Sequence, residues 1–254
     1  MYRKVLALLV IIIAVIYVGY IAHDHAEDVV TIQPSAEFTP ITEAPPETIR
    51  HSAEEAYDFI TFQSEHLLDI KPILQMPDYP TGCELISLTM VLSYITGETV
   101  DTDILIDDYI TITPNDFING FMGDPRTSNG GGCFPPFIAK CANEYLADCH
   151  MTVTAQDASG ITRQEILDSV DNGLPVLMWT TMYMEEPVLM NNIIQSNGKT
   201  YRWYISEHCL VVKGYNLQKN VFILNDPLQG EIEYDIDKFM EISDFIGNLA
   251  VTLK

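Results

Sequence analysis

The run Cys83–Thr96 constrains this chain more than any other stretch. Leu85, Ile86, Leu88, Met90, Val91, Leu92 and Ile95 fall on nearly every face of a helix, and Gly97 ends it. Such a helix is stable only with other elements packed all round it. Its first residue is a cysteine behind Pro80-Thr81-Gly82, and a thiol there has two readings. It is a small apolar side chain filling a core gap, or it is a nucleophile, because the positive N-terminal end of a helix stabilises the thiolate and lowers the thiol pKa. The remainder of the chain decides between them.

With 254 residues, 47% of them hydrophobic, the chain can bury one sizeable domain or two close-packed lobes. Residues 5–22 are uncharged and apolar, preceded by Arg3 and Lys4 and followed by His23, Asp24, His25, Glu27 and Asp28. As a helix they span roughly 27 Å, enough for a bilayer core. The basic flank places residues 1–4 in the cytoplasm and everything after the span outside. A cleaved signal peptide is the competing reading, but Tyr20 before Ala22 and Asp24 before Ala26 suit a cleavage site poorly, so an uncleaved anchor is favoured. From 28 to 47 the composition turns to Pro, Thr, Glu and Ala, which reads as an extended stalk. A short helix over 52–65 leads into a folded domain at 66–254.

The 36 acidic against 13 basic residues give a net charge of -23, which argues against nucleic acid as a partner and for a well-solvated surface. Five cysteines in an exported chain raise the question of disulfides. If 135–147 is a helix, Cys133 and Cys149 lie at its two ends, roughly 20 Å apart, with Cys141 midway, so no two of these three can bond. Cys209 could still meet one of them across the fold.

Within the domain, 68–74 reads as a strand and 75–80 as a Pro-rich turn delivering the chain to Cys83. A small helix follows over 101–109, then a long loop over 117–136 whose Gly130-Gly131-Gly132 reads as a mobile cleft wall, since no Lys-Ser/Thr follows to make a phosphate loop. A helix over 137–146, a strand over 151–155 and a helix opened by the Thr162/Glu165 capping box come next. Then the period changes to strands at 175–179, 201–204, 209–215, 221–224, 231–234 and 249–253, with a hairpin signal at 196–199 and a last helix capped by Asp235. Helices lead and an antiparallel sheet follows, an α+β layout with a helical lobe against a sheet lobe.

His208 opens one strand, and Asn225-Asp226-Pro227 ends the next after the 218–220 turn. A hairpin of that length brings His208 and Asp226 to the same end of paired strands. An orienting carboxylate must lie there to hold one imidazole nitrogen and leave the other facing a thiol. Acyl transfer also needs donors aimed at the oxyanion, which the Cys83 backbone N–H and the upstream Gln75 amide can supply. Each residue alone has an ordinary explanation: a solvated histidine, a turn, a surface glutamine. The 183–203 segment, with Glu185, Glu186, Tyr201 and Trp203, is long for a hairpin and is expected to line the cleft near His208.

The blocks Leu74-Gln75-Met76-Pro77, Pro80-Thr81-Gly82-Cys83-Glu84, Gly123-Asp124-Pro125, Glu207-His208-Cys209-Leu210-Val211-Val212 and Asn225-Asp226-Pro227 resemble the papain-like cysteine peptidases of family thirty-nine. More closely they are similar to its stand-alone, membrane-anchored branch in Gram-positive bacteria, related to the leader-cutting domain of bacteriocin exporters. The resemblance covers roughly 68–230. It implies a papain-like fold with Cys83 as nucleophile, His208 as general base and acid, Asp226 as orienting residue and Gln75 as oxyanion donor, acting on a peptide or protein without cofactor or metal. The double-glycine substrate of the exporters does not transfer, because this chain has no exporter helices or ATPase. A silent binding module and a cell-wall peptide hydrolase or transpeptidase remain as alternatives.

Overall fold

The cysteine-bearing helix forms where its apolar run and glycine stop place it. In a computed structural model, which describes residues 64–254, α1 is Cys83–Thr96, closed by Gly97 at φ 73° with its N–H on the Ser93 carbonyl. Every residue from Cys83 to Leu92 is buried. The polar ones among them are satisfied internally: Ser87 Oγ donates to the Cys209 carbonyl at 3.1 Å, and Thr89 Oγ1 to the Leu85 carbonyl at 2.8 Å.

The described residues open on strand β1 (Glu65–Leu67) and run without regular structure, through turns at 76–78 and 80–81, to α1. Two short elements follow, α2 (Thr102–Ile104, capped by Asp101) and one π-helical turn at Leu105–Tyr109. Strands β2 (Ile112–Thr113) and β3 (Phe121–Met122) make a small parallel pair within the long loop. Helix α3 (Pro135–Asp148), strand β4 (Ala155–Asp157) and helix α4 (Arg163–Asp171) complete the helical half. The Thr162/Glu165 capping box forms in both directions. Then come β5 (Val176–Thr181), β6 (Val188–Ser196), β7 (Lys199–Ile205), β8 (Glu207–Asn216), β9 (Val221–Asp226), β10 (Gly230–Asp235), α5 (Ile236–Ile246) and β11 (Ala250–Leu253).

The main sheet runs β10-β9-β8-β5-β11-β4, with β1 also paired to β8, and all its pairings are antiparallel. Every residue of β5, and all of β8 up to its last, is buried, so both faces of the sheet centre are covered. Helices α1 and α4 pack on β8, α5 on β5, and α3 on β4 and α1. The α+β class is as expected. Strands β6 and β7 form a separate hairpin, whose turn takes Asn197 and Gly198 at φ 49° and 76°.

Five expectations change. The strand at 68–74 is replaced by β1 at 65–67, with Leu68 and Ile70 buried beyond it as irregular chain. Glu65, the last residue of the expected 52–65 helix, therefore lies in a strand. The 151–155 strand lies further along at 155–157. The 183–203 connection contains β6, hidden in the sequence by its exposed polar residues Asn191, Asn192 and Gln195. Gly130 and Gly131 do wall the cleft, but as a packed segment: Gly131 N–H donates to the Met122 carbonyl and Met122 N–H to the Gly132 carbonyl. The expected anchor (5–22), the stalk and the start of the 52–65 helix lie outside the described residues. Among the described residues, no helix is long and apolar enough to cross a membrane.

Because α1 is enclosed, truncating it leaves a hole the fold cannot close. Leu88→Ala, at a site 1% exposed, is expected to cost about 2–5 kcal/mol. The check is a urea titration in which the midpoint falls and the slope stays constant.

Candidate active site

A single cavity of about 370 Å³ is lined by Gln75, Cys83, Glu207, His208, Gly130, Gly131, Met182 and Trp203 among others. The topology explains the convergence. Helix α1 lies on β8, so the first residue of the helix and the first residues of the strand meet at one end. The turn after β9 closes the assembly through three consecutive residues. Asn225 Nδ2 donates to the Ile70 carbonyl at 2.9 Å, Asp226 takes His208, and the Pro227 carbonyl accepts the Gln75 N–H at 2.9 Å.

His208 Nε2 donates to Asp226 Oδ1 at 2.7 Å, and both side chains are 1% exposed. Leu228 N–H and Gln229 Nε2 also donate to the carboxylate, fixing its plane. Burial alone would raise the Asp226 pKa. The hydrogen bond and charge of His208, with the donors from Gln229 and Leu228, outweigh it and hold the group below its ordinary 3.8. The other ring nitrogen, His208 Nδ1, is buried without a hydrogen-bond partner. That division of labour, one nitrogen held and one left for a reaction partner, is what general-base chemistry requires.

Cys83 departs from its expected electrostatics. Burial pushes the thiol well above its ordinary 9.0, and the neighbouring Glu84 and Glu207 push it further. The helix end does not outweigh these, so the resting group is the thiol, and its S–H donates to Glu84 Oε2 at 3.2 Å. A thiolate here requires transfer of that proton to another group. Cys133, Cys141 and Cys209 are buried thiols as well, Cys149 is exposed, and all five cysteines are free.

Gln75 is buried, with Nε2 donating to the Pro80 carbonyl at 3.0 Å and Oε1 unpaired. One amide hydrogen remains for a ligand. At Cys83 the backbone N–H lies in the first turn of α1, where no intrahelical acceptor exists. Gly82 has an ordinary φ of -110°, so its requirement is steric. A Cβ there would stand 3.0 Å from Tyr79 Cβ and 3.4 Å from Pro125 Cβ.

Two residues carried no role in the sequence. Glu84 is fully buried and Glu207 is 7% exposed, and their oxygens lie within 4.8 Å of one another and of the Cys83 sulfur. Glu84 Oε1 accepts the Cys133 N–H at 2.6 Å, and burial raises its pKa to about 7. Burial, then Glu84, raise Glu207 well above 4.5. The available signal was a charged residue inside each of two otherwise apolar runs. Of the 183–203 segment, Trp203 lines the cavity, stacked on Phe134 at 5.3 Å with 14° between planes. Tyr201 instead bonds Asp157, Glu186 pairs with Lys238, and the Glu185 carbonyl accepts from Thr181.

The depressed Asp226 pKa has a definite sign in stability. Unfolded, the group titrates near 3.9, and its folded value is lower. Its contribution is therefore complete above about pH 4 and is lost as the pH falls through the folded value. The gap in urea midpoint between the wild type and Asp226→Asn should be wide at pH 7 and should narrow at pH 3.

The chain is similar to known proteins. An alignment of 164 positions that covers 61% of this chain is 31% identical to the uncharacterized protein YvpB of Bacillus subtilis (strain 168). The chain spans about 61% of the length of that relative. The crystal structure of a Bacillus anthracis protein assigned as a C39-like peptidase superposes with a TM-score of 0.61 at 26% identity, covering 75% of this chain and 97% of that one. Residues 67–248, carrying Cys83, His208, Asp226 and Gln75, match the Peptidase_C39 like family across most of the described domain, and the chain belongs to that family.

Proposed function

We propose that this chain is a cysteine peptidase that cleaves peptide bonds through Cys83, His208 and Asp226. We further propose that residues 5–22 anchor it in the cell membrane and that the segment between this anchor and β1 forms a stalk, with the peptidase domain on the extracellular side. The observation that carries the catalytic reading is the buried His208–Asp226 pair at 2.7 Å, with Nδ1 left unpaired on a histidine that shares a cavity with Cys83. Membership of a peptidase family supports it. The anchor rests on the apolar run behind Arg3 and Lys4.

The proposed reaction uses these groups in turn. When a peptide enters, His208 Nδ1 takes the Cys83 proton, and Asp226 stabilises the resulting imidazolium. The sulfur forms a bond to the carbonyl carbon, and the oxyanion receives the Cys83 backbone N–H and the Gln75 amide. The imidazolium protonates the leaving amine as the C–N bond breaks, leaving a thioester on Cys83. Water, deprotonated by His208, hydrolyses it and restores the thiol. Because the resting thiol is neutral and bonded to Glu84, the sulfur must turn from Glu84 toward His208 at the first step. That same hydrogen bond favours the competing reading of a binding module with an unused thiol.

The experiment uses the full chain in detergent against fluorogenic peptide libraries and peptidoglycan fragments, with an added amine to reveal transpeptidation. Hydrolysis by the wild type that disappears in Cys83→Ala and His208→Ala supports the peptidase. Gln75→Ala should lower kcat by roughly 10²–10³-fold while leaving KM nearly unchanged. Equal, background turnover in wild type and Cys83→Ala would sink it in favour of the binding module.

A further inference from the structure

Glu84 and Glu207 pose an electrostatic problem that peptide cleavage does not use. Two buried carboxyls lie side by side, and among the described residues neither forms an ion pair with a lysine, arginine or histidine. Taking two like charges out of water without a counter-charge is prohibitively costly, so the pair must hold a proton or a cation. The third group within reach is the Cys83 sulfur. One oxygen of each carboxyl and the sulfur lie within 4.8 Å of one another.

We propose that Cys83, Glu84 and Glu207 form a reversible zinc site that captures the nucleophile. The geometry is nearly assembled. In a tetrahedral zinc site, ligands at about 2.0–2.3 Å from the metal stand roughly 3.3–3.8 Å apart. The Cys83 sulfur and Glu84 Oε2 are already 3.2 Å apart, so the main movement required is a small approach by Glu207. An independent sign that a ligand belongs here is Glu207 Oε1, a buried oxygen with no hydrogen-bond partner. The space is kept by Gly132, at φ +108°, whose hypothetical Cβ would lie 2.3 Å from Glu84 Oε1 and 3.1 Å from Glu207 Oε2.

The donor set selects the metal class. Hard cations such as Mg²⁺ and Ca²⁺ bind oxygen and leave thiols alone, whereas one thiolate with two carboxylates suits borderline-soft Zn²⁺. Cys83 and Glu207 line the cavity, which gives the ion an entry path and leaves a fourth position for water. On binding, the Cys83 S–H proton, with any proton the glutamates share, passes to solvent, and the sulfur becomes a metal-bound thiolate. Capture would silence the peptidase, a consequence that rests on the proposed function. The binding itself does not.

The test therefore reads binding first. Full-length chain is incubated with ZnCl₂, and alkylation of Cys83 by iodoacetamide is followed by mass spectrometry of the peptide that carries it. Micromolar zinc should slow that alkylation at least tenfold, with recovery on adding EDTA. Glu84→Gln and Glu207→Gln should each weaken the protection by roughly 10–100-fold. Exposed Cys149→Ser should leave it intact. Thermal melts confirm that each variant is folded. As a measurement needing no variant, Co²⁺ should produce a near-ultraviolet thiolate charge-transfer band with the wild type that ZnCl₂ abolishes. Absence of protection overturns the proposal. So does protection that survives both glutamine variants and is lost only in His208→Ala, which would place the ion between Cys83 and the histidine.

Discussion

The packing of α1 on β8 is the contact on which the rest of the molecule depends. A helix apolar on every face must be enclosed, and β8, buried along nearly its full length, is the surface that encloses it. The Ser87 hydroxyl on the Cys209 carbonyl ties the two together one residue beyond His208. Because the ends of both elements coincide, the demand for a dry core also sets Cys83 and His208 at one cavity. Core and site are thus one construction, and the residues carrying chemistry are held by the most rigid elements available.

Enclosure has an electrostatic cost that shapes the chemistry. The same burial that positions Cys83 keeps its thiol neutral, and the acidic neighbours add to the effect. In the proposed peptidase Cys83 depends on His208 to become a nucleophile, and the Asp226 environment suits that role. Three separate groups donate to that carboxylate, so that it remains ionised while surrounded by protein. The turn holding Asp226 also anchors Gln75 and the segment around Ile70. Disturbing this one turn reaches His208 and Gln75 together.

Much of this was legible in the residues because the signals were local. The apolar run and Gly97 mark α1, the Thr162/Glu165 spacing marks the start of α4, and the short 218–220 turn predicts that His208 and Asp226 meet. Features set by long-range packing were not legible. Strand β6 is mostly exposed and carries no alternating pattern strong enough to stand alone, and β1 is a strand only because β8 offers an edge for it. The neutral state of Cys83 depends first on its burial in the tertiary fold and then on Glu84 and Glu207, so the helix-end argument taken alone has the sign wrong. The pairing of Glu84 with Glu207 was hidden for the same reason, although each glutamate adjoins a residue already singled out.

The central claim is that Cys83, activated by His208, forms a covalent bond with a peptide carbonyl. The most direct measurement is to quench turnover of a cleaved peptide in acid and search the protein for an acyl adduct by mass spectrometry. The account predicts an adduct of the acyl fragment's mass on Cys83, appearing within the first turnover and decaying with hydrolysis, and absent from His208→Ala. An adduct on another residue, or turnover that proceeds with Cys83 unmodified at every time, would contradict it.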